Sequence, residues 1–139
     1  MALATQSPAN SASYSASLLD AAKANRRAYC IRNPLGLCEI AHAKSYVVGD
    51  MKGWTFFVDS WPKGKRFRAG DVLVFKYLPT AHNVVKVNHL GYRTCTVPRG
   101  SYITRTGNDH IRLVKGNNYF ICNLPGHCVN AMRIAVYAS

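Results

Sequence analysis

The chain has 139 residues, 48% of them apolar, with 18 Lys+Arg against 6 Asp+Glu. At roughly 100–200 residues per domain this gives one basic domain, with or without a tail, and no room for an enzyme with a separate cofactor lobe. The apolar content excludes a wholly disordered chain, no run reaches the roughly 18 apolar residues of a membrane span, and six acids (Asp20, Glu39, Asp50, Asp59, Asp71, Asp109) leave paired-carboxylate chemistry almost nothing to use.

Residues 1–29 are rich in Ala and Ser, with neither strand alternation nor a long amphipathic face. Residues 1–43 are therefore expected to be a disordered N-terminal segment, and residues 44–139 the globular unit. Ala41-His42-Ala43 has the small-x-small form of a signal-peptidase site. The apolar run that should precede it is broken by Arg26, Arg27, Arg32 and Pro34, so the export signal is incomplete. A plastid transit segment is the alternative reading of an acid-poor stretch that ends in Arg-Arg.

From residue 45 the period is two. In Asp71–Tyr77, Leu73, Phe75 and Tyr77 share one face and Val72, Val74 and Lys76 the other. Residues 110–114 alternate with Ile111 and Leu113 inward, and 132–137 with Met132, Ile134 and Val136 together. Further strands are expected at 45–48, 84–88 and 118–122. Turns fall at Pro62-Lys63-Gly64, Ala69-Gly70-Asp71, Pro98-Arg99-Gly100, Thr106-Gly107-Asn108 and Lys115-Gly116-Asn117. Six or more short strands in under 100 residues predict an all-β antiparallel sandwich or barrel.

The unit holds three cysteines, Cys95, Cys122 and Cys128. An odd count leaves one thiol over after pairing. Cys122 ends a predicted strand, and His127 and Met132 follow at intervals of five. Cys, His and Met together are the donor set that suits copper. A second His must come from elsewhere: His89 and His110 read as surface residues, and His82, at a strand entrance, ranks only modestly above them. The competing zinc site would use His82, Cys122, His127 and Cys128, but lacks the usual Cys-x2-4-Cys knuckle.

Gly53-Trp54-Thr55, Ser60-Trp61-Pro62-Lys63-Gly64-Lys65-Arg66-Phe67-Arg68-Ala69-Gly70-Asp71, Ala81-His82-Asn83-Val84-Val85 and Tyr119-Phe120-Ile121-Cys122-Asn123-Leu124-Pro125-Gly126-His127-Cys128 occur in that order. Together they resemble the plantacyanins, the basic blue proteins of the phytocyanin family within the cupredoxins. The resemblance covers 44–139 and none of 1–40. It implies a Greek-key β-sandwich, one type 1 copper per chain held by His82, Cys122, His127 and Met132, and a disulfide between Cys95 and Cys128. Asn83, next to a ligand, is a candidate for tying the ligand loops together; as a plain residue it reads equally well as a turn.

The function expected is one-electron transfer without catalysis. Four protein ligands leave no open metal position, and no Gly-x-Ser-x-Gly elbow is present. The alternative keeps the fold for cell-surface signalling or polyanion binding, with copper structural. Residues 44–139 carry 14 Lys+Arg and 4 Asp+Glu; for this charge an acidic cell-wall polysaccharide is a better expected partner than nucleic acid, since no nucleic-acid-binding motif accompanies it. The redox partner is not readable. A monomer is expected, secreted to the apoplast or cell wall, with no membrane span and no GPI anchor.

Overall fold

The computed structural model describes residues 26–139. The chain divides into two compact units between Lys44 and Ser45. In the first, β1 (Arg26–Arg32) pairs antiparallel with the leading part of β2 (Cys38–Val47), from Arg26 opposite Lys44 to Arg32 opposite Cys38. A disulfide joins Cys30 to Cys38. Asn33 closes the turn, its side-chain oxygen accepting from the N–H groups of Leu35 and Leu37, both at 3.0 Å. Within the segment expected to be structureless, residues 26–43 form a hairpin. Its cause is local: an Asn-Pro-Leu-Gly turn between two cysteines that can meet. Ala41-His42-Ala43 lies within β2, and residues 1–25 of that expected segment lie outside the described residues.

The second unit is a sandwich of two sheets. In one, the end of β2 pairs with β3 (Val72–Lys76), which pairs with β6 (Asn108–Arg112). The other has the order β5 (Ile103–Thr104), β4 (Val84–Val87), β7 (Gly116–Ile121), β8 (Arg133–Ala138). Burial follows the predicted alternation. Leu73, Phe75, Ile111, Met132, Ile134 and Val136 face the core, while His110 and Arg112 are exposed. At about 1.5–3 kcal/mol for each large side chain removed from water, this one layer dominates the unit's stability.

Three features depart from the expected pattern. Ser45–Val47 pair with Val72–Val74 in parallel, which the long connection 48–71 permits. A short helix, α1 (His89–Thr94), follows the strand expected at 84–88, where no further element was expected. Asn88 caps it, accepting from Gly91 N–H at 2.8 Å. The third is β5, too short at two residues to show alternation. No helix among the described residues is long and apolar enough to cross a membrane.

Candidate metal centre

His82 sits in the connection between β3 and β4. Leu78 C=O accepts from the N–H groups of Ala81 (2.9 Å) and His82 (3.2 Å), which winds the chain so that the imidazole turns inward. Outside groups hold this turn. Arg105 donates from Nε to Pro79 C=O at 2.6 Å and from Nη2 to Thr80 C=O at 3.3 Å. Gly107, at φ 85°, packs where a Cβ would come within 2.9 Å of Tyr77 C=O and 3.0 Å of the Pro79 ring. Beneath the turn, the buried carboxylate of Asp109 accepts from Tyr77 Oη and from the hydroxyls of Thr104 and Thr106, the last two at 2.6 Å. Burial works to raise the Asp109 pKa, but these hydrogen bonds together hold it below the usual carboxylate value. Burial, with the bond to Asp109 next, pushes the Tyr77 phenol well above its ordinary value.

Cys122, His127 and Met132 come from one loop that leaves β7 and enters β8. Its own backbone closes it: Cys122 N–H donates to Met132 C=O at 3.0 Å, His127 N–H to Leu124 C=O at 3.0 Å, and Met132 N–H to His127 C=O at 3.1 Å. Cys128 is bonded to Cys95, which fixes the loop to the segment after α1. Arg133 reinforces that link, donating from Nη1 to Tyr92 C=O at 2.7 Å, with its guanidinium 5.0 Å from the Tyr92 ring centre. Cys122 and Met132 are completely buried.

The two loops are joined by Asn83. Its side-chain oxygen accepts from Asn123 N–H at 3.0 Å, its amide donates to Asn123 Oδ1, and its backbone C=O accepts from Trp54 Nε1 at 2.9 Å. His82 is thereby tied both to the residue after Cys122 and to the aromatic core, where Trp54 meets Phe75 edge to face at 5.0 Å. In the sequence Asn83 is a candidate for this tie and Trp54 stands in a family motif without a role of its own, whereas Arg105 and Arg133 carry no local signal.

Among the described residues, the His, Cys and acidic side chains close enough to hold a metal ion are His82, Cys122 and His127, whose donor atoms all lie within 4.8 Å of one another. The two Nδ1 atoms are 3.1 Å apart, and Cys122 Sγ is 3.4 Å from His127 Nδ1. Donors at such spacings surround a point that metal–nitrogen and metal–sulfur bonds of about 2.0–2.3 Å can reach. Burial, and next the neighbouring His127, lower the pKa of His82, favouring the neutral imidazole that a metal requires. Phe56 covers both rings, edge to face at 5.6 Å from His82 and 4.7 Å from His127. The competing Cys2His2 zinc set lacks its fourth ligand, because Cys128 is consumed by its disulfide. His89 lies on α1 and His110 on the exposed face of β6, neither within the cluster.

One buried thiol, two imidazoles and a buried thioether, presented by loops of a two-sheet sandwich, define a cupredoxin centre, and the four side chains fit one type 1 copper. The family profile described as a plastocyanin-like domain matches residues 50–132. The chain is 59% identical over 93 residues to a basic blue protein of Cucumis sativus, covering 67% of this chain and 97% of that one. Among solved structures, a cucumber basic protein, described as a blue copper protein, is 58% identical with a TM-score of 0.68, covering 68% of this chain and 99% of that one. Spinach plantacyanin is 54% identical with a TM-score of 0.60, covering 63% and 94%. The chain belongs to the phytocyanin family of cupredoxins, in its plantacyanin, or basic blue protein, branch.

Proposed function

We propose that this protein is a non-catalytic one-electron carrier. The observation that carries the reading is Cys122: it is buried and free, while the other four cysteines pair as Cys30–Cys38 and Cys95–Cys128. Copper held by His82, Cys122, His127 and Met132 would supply a single unit of charge change, between Cu(II) and Cu(I). The protein does the rest. Hydrogen bonds through Asn83 and Met132 fix the ligand positions before any metal arrives, so the geometry changes little with oxidation state. Four protein donors leave no position for a substrate, and the buried sulfurs exclude water.

Electrons leave by the edge of His127 in this reading. Its ring is half-buried against Phe56, and the neighbouring Phe57 and Val129 are exposed, so the metal end offers a small apolar face to a redox partner. Two disulfides fit a protein of the secretory pathway, and the apoplast or cell wall is the compartment proposed. The test is the visible spectrum of the chain loaded with Cu(II). An intense blue colour that Cys122→Ser abolishes, with the fold retained by circular dichroism, supports the proposal. A colourless Cu(II) complex of the unaltered chain ends it.

A further inference from the structure

Away from the metal loops, charge concentrates in Lys63, Lys65, Arg66 and Arg68. Little opposes it. Of the four acids in 45–139, Asp71 and Asp109 are buried, Asp50 accepts from Trp61 Nε1 at 3.1 Å, and Asp59 is exposed, against the four cations of this segment. Between this segment and β8 runs an open groove of about 460 Å³, with Lys65, Arg66 and Phe67 on one side and Ala135 and Tyr137 on the other. The walls are fixed. Phe67 is buried beside Tyr46 at 4.8 Å and Trp61 at 5.8 Å, and Phe67 C=O accepts from Ser139 N–H at 3.0 Å. The Ser139 oxygen is taken up by Ala69 N–H at 2.9 Å. Lys65 is held in place by Trp61, donating to its C=O at 3.0 Å with its ammonium 5.0 Å from the ring centre. Tyr137, 63% exposed, leaves its ring open to solvent.

We propose that this groove binds a carboxylate-bearing polysaccharide. Lys65 and Arg66 pair with uronate carboxylates, Arg66 with its fork of donors, and the Tyr137 ring offers a flat face with a polar tip to a sugar ring. A polysaccharide is favoured over nucleic acid because the disulfides fit an oxidising compartment and no nucleic-acid-binding motif accompanies the charge. Met132 immediately precedes β8, and Ala135 and Tyr137 stand three and five residues further on, which at 3.3 Å per residue places them about 10 and 17 Å from Met132 along the strand. A chain anchored this way keeps its His127 side open. The choice of polymer rests on the secretory placement proposed above, whereas binding in the groove does not depend on copper.

The experiment titrates the full chain, with and without copper, with oligogalacturonate, its fully methyl-esterified form and a DNA duplex at low ionic strength. Lys65→Glu with Arg66→Glu is expected to weaken oligogalacturonate binding at least about tenfold, as loss of two charge-assisted contacts implies. Tyr137→Ala is expected to weaken it about threefold, and both should leave the copper spectrum unchanged. Arg93→Glu with Arg99→Glu makes the same change in net charge at exposed positions off the groove and should have a much smaller effect. Equal weakening by the two charge reversals would overturn the proposal, as would equal binding of the esterified polymer or tighter binding of DNA. A groove variant that altered the spectrum would refute the separation of groove and metal. Failure of the unaltered chain to turn blue would count against electron transfer and leave the groove result standing.

Discussion

The connection that carries His82 and the loop from Cys122 to Met132 reach the same point by different means. The second is closed by its own backbone and by a covalent bond from Cys128 to Cys95. The first is a short turn with one internal acceptor, Leu78 C=O, and is held by side chains from elsewhere: Arg105, the Asp109 network and Trp54. Three donors therefore arrive as a preassembled set, and the fourth is placed by the rest of the sandwich. Damage to the Cys122–Met132 loop should act through local order and the cross-link, and damage to the His82 turn through remote contacts.

The largest effect on stability should come from the covalent link. Replacing Cys95 and Cys128 by Ala removes a cross-link with a sequence separation of 33 residues, worth about 3–4 kcal/mol by loop entropy. Urea denaturation should show that loss, with Cys122 still free in the folded variant. A loss under 1 kcal/mol would mean that the backbone bonds and Arg133 hold the loop without it.

Asn83→Ala breaks the tie between the loops and leaves the Asn123 N–H without its acceptor, a cost of about 1–3 kcal/mol. Because Asn123 adjoins Cys122, the same variant should move the copper absorption band, while a variant of equal stability cost in the far core should not. Arg105→Ala should act in the same direction but more weakly, by about 1 kcal/mol or less, since the side chain is exposed. Its readout is faster loss of metal to a chelator, and Arg105→Lys should restore only part, because a single ammonium cannot reproduce the two-pronged contact.

Acidity probes the floor of the His82 turn. The Asp109 pKa is lowered in the folded state, so the unfolded chain binds more protons as pH falls. The stability Asp109 contributes is fully present above its ordinary range of about 4 and is lost as pH falls through the lower folded value. Asp109→Asn should flatten the stability–pH curve in that acid window. An unchanged slope would show that the hydrogen bonds to Tyr77, Thr104 and Thr106 do not discriminate between its charged and neutral forms.

This asymmetry also explains what could be read from the amino-acid order. Cys122, His127 and Met132 stand in one loop at regular spacing, so their chemistry was visible without a fold. His82 ranked barely above His89 and His110 on residue pattern, and only the family resemblance selected it, because what positions it lies far away in sequence. Leu73, Phe75, Ile111 and Ile134 were legible as core from alternation. Nothing local marks Arg105 or Arg133 as a guanidinium that reaches a carbonyl some 25 or 41 residues distant. The parallel pairing of β2 with β3 and the hairpin at 26–43 also lie beyond local pattern. One depends on which strands meet, and the other on two cysteines expected to lie outside any fold.

The proposed role requires that four prearranged side chains hold one copper for reversible single-electron exchange. Its most direct test is a spectroelectrochemical titration of the chain loaded with one equivalent of Cu(II). A blue band should bleach with one electron per copper, with the Nernst slope of a one-electron couple, and return fully on reoxidation. A band that does not return, or a copper lost on reduction, would contradict it.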